Sequence, residues 1–304
     1  MSIIVESVSK LYGKQKALDN VSFNVKKGEV VGFLGPNGAG KSTMMKIITC
    51  YIPQSLGMVS VCGFDVATQS MEVKKRVGYL PENNPLYFDM YIKEYLSFIA
   101  GVHKLGNSTK SRIDYIIEKT GLLPEIHKKL GVLSKGYRQR VGIAQALIHD
   151  PEVIILDEPT SGLDPNQIVD IRNLISEIGK EKTILLSTHI MQEVEAMCNR
   201  VIIVNKGKIV ADAPTEQMQA FSNLNKTVFV EFEQKIDSMV LKAIEGVTNV
   251  VQDGNKYKVF TNTDKDIRPE IFKISSANNW VILTIGVEEQ SLEEVFRQLT
   301  SVKS

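Results

Sequence analysis

No stretch of this 304-residue sequence approaches the roughly 18 consecutive apolar residues that a membrane-crossing helix needs. The opening Met1-Ser-Ile-Ile-Val-Glu6 has neither the basic nor the apolar region of a secretory leader. Cysteine is scarce. Cys50, Cys62 and Cys198 stand far apart, which excludes a disulfide framework or a metal knuckle and suits a reducing compartment. An excess of charge of one sign is also missing: 36 basic residues balance 35 acidic ones for a formal net charge of +1. No broad polyanion-binding face is therefore expected, and nucleic acid is not expected as the main partner. These absences point to a soluble cytoplasmic protein, in which any membrane role needs a separate spanning partner. The length suggests about two domains.

What is present centres on Glu29-Val-Val-Gly-Phe-Leu-Gly-Pro-Asn-Gly-Ala-Gly-Lys-Ser-Thr43. The apolar run Val30 to Leu34 reads as a buried strand, and Met44, Met45, Ile47 and Ile48 have helical spacing. Between them Gly35, Pro36, Asn37, Gly38, Ala39, Gly40, Lys41, Ser42 and Thr43 fit the phosphate-binding P-loop in its strand–loop–helix setting. The glycines let backbone N–H groups turn around a phosphate, and the helix N-terminus adds partial positive charge. Lys41 would reach the β- and γ-phosphates of a nucleotide, and Ser42 would hold Mg²⁺.

Residues 2–34 alternate apolar and polar positions with breaks at Gly13 and Lys27-Gly28, as antiparallel strands leading into the P-loop strand do. Tyr12, at a strand end, either stacks on a purine base or borders the sheet. Strands are expected at Gly57–Cys62, Val77–Leu80, Val153–Leu156, Thr183–Ser187 and Val201–Val204, and short or long helices at Met71–Arg76, 135–149 and from Pro165 to Gly179. From Pro85 onward strand signals vanish, and an inserted helical subdomain spanning about 85–150 is expected. The fold class is α/β: a mainly parallel P-loop sheet with an antiparallel β subdomain and this helical insert over residues 1–220. Residues 221–304 read as a small α+β accessory domain, ferredoxin-like in its alternation. Its strands fall at Val228–Phe232, Lys256–Thr261 and Val281–Ile285, and its helices at Asp237–Ile244, Ile267–Ala277 and Leu292–Leu299. The acids Glu288, Glu289, Glu293 and Glu294 read as a solvated helix start.

The run Val153-Ile-Ile-Leu-Asp157-Glu158 supplies the second half of a nucleotide site. A hydrophobic strand delivers Asp157 at its carboxyl end, where it can hold Mg²⁺, and Glu158 is placed to polarise a water for attack on the γ-phosphate. With these motifs in this order, residues 2 to about 215 resemble an ATP-binding-cassette (ABC) ATPase, the motor subunit of a transporter. Leu133-Ser134-Lys135-Gly136-Tyr137-Arg138-Gln139-Arg140 corresponds to the family's signature segment. The resemblance implies that Ser134 and Gly136 meet the γ-phosphate held by a second copy. It also implies that Ser161-Gly-Leu-Asp164 is the D-loop crossing between copies, that His189 is the switch histidine, and that Tyr12 stacks on adenine. Glu82 falls where the family's Q-loop glutamine sits, linking Mg²⁺ or the attacking water to the helical insert. Glu82, Lys135 and Tyr137 each depart from the usual pattern.

The resemblance therefore implies ATP and Mg²⁺ as cofactors, an ATP-dependent homodimer, and an integral-membrane permease as partner. The protein would lie at the inner face of the cell membrane through that permease. A single cassette with an α+β appendix is similar to the exporter branch with separate permeases, and more narrowly to the ATP-binding subunits of gliding-motility exporters. The alternative is a soluble ABC ATPase acting on a ribosome or nucleic-acid complex, which usually has two cassettes or a long coiled coil.

Overall fold

A computed structural model describes residues 1–218, 227–261 and 265–288, and the chain divides into two compact units, Met1–Ala213 and Pro214–Ser304. In the first unit, β1 (Ile3–Tyr12) and β2 (Gln15–Val25) form an antiparallel hairpin whose tip pairs Tyr12 with Gln15. The chain continues through β3 (Val30–Leu34), α1 (Lys41–Ile48), β4 (Leu56–Val61) and β5 (Phe64–Asp65). β1, β2, β4 and β5 make a four-stranded antiparallel sheet in the order β2-β1-β4-β5.

The second sheet carries the site. Its strands are β3, then β6 (Val77–Leu80), β7 (Val153–Asp157), β8 (Thr183–Thr188), β9 (Arg200–Asn205) and β10 (Lys208–Pro214), in the spatial order β10-β9-β3-β8-β7-β6. β9, β3, β8, β7 and β6 run parallel. β3, β7 and β8 are buried at every residue, as strands covered on both faces must be, which explains their unbroken apolar runs. The α2 turn (Ser70–Lys74) precedes β6, and α6 (Pro165–Gly179) and α7 (Met191–Met197) flank β8. α6 begins where Asp164 accepts a bond from Gln167 N at 2.9 Å with Pro165 next, an N-cap and N1 pair that fixes the helix start.

The expected insert is helical: α3 (Ile92–Val102), α4 (Thr109–Lys119) and α5 (Lys135–Leu147). Tyr95 donates to Gln145 and so ties α3 to α5, and burial pushes the Tyr95 phenol up to about 12. Arg112 of α4 donates to the carbonyls at the end of α5, Leu147 O at 2.8 Å and Ile148 O at 3.0 Å. His103 and His149 stack with centroids 3.9 Å apart and planes within 2°. His149 Nε2 lies 3.1 Å from Val77 O.

The second unit has the order β11 (Thr227–Phe232), α8 (Ser238–Lys242), β12 (Val247–Asp253), β13 (Lys256–Thr261), α9 (Arg268–Ala277) and β14 (Ile282–Glu288). The sheet runs β12-β13-β11-β14 with antiparallel neighbours, so β13 splits β11 from β12 in the ferredoxin-like β-α-β-β-α-β manner. Strand β12 is not among the strands expected from sequence. Its Thr248-Asn249 and Gln252-Asp253 pairs leave only Val250 fully buried, so the apolar alternation is too weak to announce a strand. The expected helix Leu292–Leu299 and the acids Glu289, Glu293 and Glu294 lie outside the described residues.

Burial, with the neighbouring His103 second, holds His149 down at about 4 from an ordinary 6.5. The unfolded chain therefore takes up this proton first as pH falls. The stability gained by keeping the ring neutral is complete above about 6.5 and is lost progressively toward 4. His149→Gln keeps a donor for Val77 O but removes the titration. Between pH 7 and 4.5, denaturant unfolding should show the wild type losing about 1–3 kcal/mol more than the variant.

Candidate active site

The register of the parallel sheet brings three loops together. Leu34 pairs with Thr188 and Asp157 with Ser187, so β3, β8 and β7 end side by side at their carboxyl ends, where ligands of parallel sheets sit. The loop after β3 leads into α1 through Gly40, whose φ of +107° only glycine tolerates and where a Cβ would lie 2.5 Å from Ala17 O. Gly35 is constrained by space, since a Cβ there would meet Val204 O at 2.4 Å.

Within this frame Lys41 is almost fully buried, and its Nζ donates to Gly35 O at 2.8 Å and Pro36 O at 3.3 Å. The same ammonium lies 3.2 Å from Glu158 Oε1, while His189 Nδ1 lies 2.8 Å from Glu158 Oε2. A carboxylate only accepts, so His189 Nδ1 carries the proton in that bond and Nε2 is left to face a ligand. Ser42 Oγ donates to Asp157 Oδ1 at 3.1 Å. Ser187 Oγ donates to the same oxygen and accepts from Glu158 N at 3.2 Å. Glu158 sits at φ +50°, a costly backbone position for a side chain of this size, and Glu158 N also donates to Ser187 O at 3.1 Å. Ser187 thus holds both acids in place.

One cavity of about 510 Å³ is lined by Tyr12, Asn37, Gly38, Gly40, Lys41, Ser42, Thr43, Glu82, Glu158 and His189, with Gln15, Ala17 and Ser161. Of the remaining candidates, Gly35 and Pro36 supply the carbonyls that Lys41 holds, and Asp157 lies buried against Ser42. Ala39 is buried beneath the loop, its carbonyl accepting from Gly207 N. Tyr12 is half exposed at the hairpin tip, with the Lys10 ammonium 5.3 Å from its ring centre. Glu82 also lines a second groove, of about 530 Å³, between β6 and the helical insert, along with Tyr51, Tyr79, Pro85, His103 and His149.

Ser134 and Gly136 do not line the Lys41 cavity. They border a separate cleft of about 70 Å³ with Tyr137, Arg140 and Gln167. There Ser134 caps α5, accepting from Tyr137 N at 3.3 Å, so Tyr137 contributes through its backbone. Gly136 is covered by the Gln167 side chain, and the Lys135 ammonium packs over Gly162, where a Cβ would lie 2.2 Å from Nζ. Lys135 therefore lies against the loop of Ser161 to Asp164 in its own chain. Sequence reasoning misses Ser187, Thr160, Glu193 and Gln15. Ser187 and Thr160 carry no motif of their own, and Glu193 reads as one more acid in a helix until its burial is seen.

The comparisons with known proteins agree with this geometry. A family model described as ABC transporter matches residues 18–161. The bacitracin transport ATP-binding protein BcrA of Bacillus licheniformis is 35% identical over 98% of this chain and 98% of its own. The linearmycin resistance ATP-binding protein LnrL of Bacillus subtilis is 30% identical over 97% of each chain. Among solved structures, the dimeric bacterial ABC transporter cassette MJ0796 matches with a TM-score of 0.64 at 27% identity, over 70% of this chain and 98% of its own. The same cassette is known in a dimeric post-hydrolysis state bound to ADP and Pi.

Removing the Ser187 hydroxyl tests the frame itself. Ser187→Ala deprives buried Asp157 of a donor and Glu158 N of one acceptor. It should lower unfolding free energy by about 1–3 kcal/mol in a denaturant titration, the cost of leaving buried polar atoms unpaired.

Proposed function

This chain belongs to the ABC transporter family as its ATP-binding, ATP-hydrolysing subunit, and from that premise we propose that it drives an exporter whose membrane path is a separate permease. Two copies pair head to tail, each nucleotide lying between the Lys41 loop of one and the Ser134–Gly136 helix start of the other. One observation carries this reading. Lys41, Ser42, Asp157, Glu158 and His189 converge at one cavity, while Ser134 and Gly136 form an anion-suited helix start on another part of the same unit. Half a site in each place calls for a second copy.

Lys41 now spans Gly35 O, Pro36 O and Glu158, so a nucleotide's phosphates would compete with Glu158 for its ammonium. As Lys41 turns to the phosphates, Glu158 keeps its bond to His189 and gains the freedom to accept a proton from water. Donation from His189 Nε2 toward the γ-phosphate calls for a proton on each ring nitrogen, since Nδ1–H stays on Glu158, and Tyr12 supplies the face on which adenine stacks. Among the described residues no cluster of three or more metal-binding His, Cys, Asp or Glu side chains exists. The Ser42 hydroxyl beside the Asp157 carboxylate is the two-oxygen set that suits Mg²⁺, whose other positions go to phosphates and water. Bound there, Mg²⁺ would neutralise charge on the β- and γ-phosphates.

The permease contact is assigned to the groove that Glu82 shares with the nucleotide cavity. The helical insert also carries exposed Tyr87, Phe88 and Phe98, with the Tyr87 and Phe98 rings 5.6 Å apart, an aromatic surface of the kind that partner chains cover. Among the described residues no helix is long and apolar enough to cross a membrane. Attachment to the membrane's inner face is assigned to that partner. The bacitracin and linearmycin names of two relatives support export as the direction. A soluble role on nucleic acid is disfavoured by a net charge of +1.

Glu158→Gln should reduce ATP turnover by roughly 10²–10⁴ while leaving ATP binding intact, the usual worth of a general base. In sedimentation, the same variant should run as a monomer alone and as a dimer with MgATP; a monomer under both conditions would sink the paired arrangement. Glu82→Gln should retain basal hydrolysis but change its stimulation by the permease in reconstituted vesicles, and an unaltered response would remove Glu82 from the coupling path.

A further inference from the structure

Glu193 has no part in the chemistry described so far, yet its side chain is buried beyond reach of solvent at 0% exposure. A carboxylate so placed costs several kcal/mol in desolvation unless donors surround it. Two hydroxyls do so here, from two different loops. Thr160 donates to Glu193 Oε1, and Thr188 donates to Oε2 at 2.6 Å. Both Thr160 and Thr188 are themselves buried.

Each threonine sits at a junction. Thr160 follows Glu158 by two residues and opens the loop Ser161–Asp164: Ser161 N donates to Glu158 O at 3.1 Å and Leu163 N to Thr160 O at 3.2 Å. Thr188 stands between Ser187, which holds Asp157 and Glu158, and His189. Its hydroxyl accepts from Ile190 N at 3.1 Å, and its carbonyl accepts from Gly35 N at 3.3 Å at the head of the P-loop. A displacement of His189 therefore moves Thr188, and the shared carboxylate passes the movement to Thr160. Ordinary packing would hold a helix here with an apolar side chain and no such penalty. A buried carboxylate with one hydroxyl on each oxygen adds direction, because each oxygen is committed to one loop.

We propose that Glu193 is a positioning residue that couples the His189 loop to the Ser161–Asp164 loop, so that contact with the γ-phosphate in one site is relayed to the segment facing the other copy. This rests on the paired reading above, in which that segment crosses between copies. The relay makes the two sites hydrolyse cooperatively.

The test compares full-length wild type with Thr160→Val, Glu193→Gln and the double variant, reading kcat, KM, the Hill coefficient for ATP and the melting temperature. Thr160→Val should lower kcat by about tenfold, shift KM by less than about twofold and bring the Hill coefficient to about 1, magnitudes of an ordinary coupling between sites. Glu193→Gln should do the same, and the double variant should fall no further than the worse single. Thr160→Ser, which restores the hydroxyl, should recover the cooperativity whatever the melting temperature does. Wild-type kcat and Hill coefficient in Thr160→Val, losses that multiply in the double variant, or a serine variant no better than valine would each overturn the relay. A wild-type Hill coefficient of about 1 would count against the pairing instead, and the kcat losses and their non-additivity would still decide whether the clamp positions the catalytic loops.

Discussion

The side-by-side ending of β3, β8 and β7 is the constraint from which the site follows. Parallel pairing sets Leu34 opposite Thr188 and Ser187 opposite Asp157, so the Lys41 loop, the two acids and His189 arrive within hydrogen-bond reach although these segments are far apart in sequence. The burial of all three strands makes this register expensive to alter, because a slip by one residue would exchange side chains of different size between two packed faces and part Ser187 from Asp157. The rigid sheet holds the geometry, and the loops at its end remain free to respond to a ligand. This division suits a motor: precision comes from the core and motion from what it carries.

Much of the site is legible in the amino-acid sequence alone. The P-loop run, the hydrophobic strand ending at Asp157-Glu158, and the helix opened by Asp164-Pro165 all declare themselves locally, because periodicity, glycine and capping residues act over a few positions. The strand order cannot be read in that way: β3 lies between β8 and β9, more than 140 residues downstream, and only tertiary pairing shows it. The same limit hides Ser187 and Glu193. A serine in a strand and a glutamate in a helix look ordinary, and their roles arise from partners about thirty residues away. Strand β12 escapes for a different reason, since its polar residues erase the alternation that betrays a half-buried strand. Nothing among the described residues distinguishes gliding motility from other exporter roles, as a motor subunit holds no cargo path.

The departures from the family pattern acquire physical meaning in place. Lys135, standing where glycine is usual, lays its ammonium over Gly162 and so packs the start of α5 against the loop that begins α6. Gln167 reinforces this by covering Gly136, while its own backbone N–H is held by Asp164. The Ser134 helix start and the Ser161–Asp164 loop are therefore packed together, the two parts that the paired reading directs at the other copy. Tyr137 serves Ser134 through its backbone N–H, a bond that any residue but proline could supply, and also lines the cleft beside Gly136.

Glu158 is held on both sides, by Lys41 at 3.2 Å and by His189 at 2.8 Å. A carboxylate oxygen engaged with an ammonium at 3.2 Å is occupied and closed to an attacking water. Phosphates that draw Lys41 away remove this brake at the moment substrate is present. In the proposed cycle, activation is coupled to binding by competition for one lysine. The strained backbone at Glu158, fixed by Ser187, keeps the carboxyl aimed while its partner changes. The same event alters the setting of His189, and through Thr188 it reaches Glu193. In that proposed cycle, binding, base activation and the relay to the neighbouring copy share a single starting point, the transfer of the Lys41 ammonium from carboxylate to phosphate.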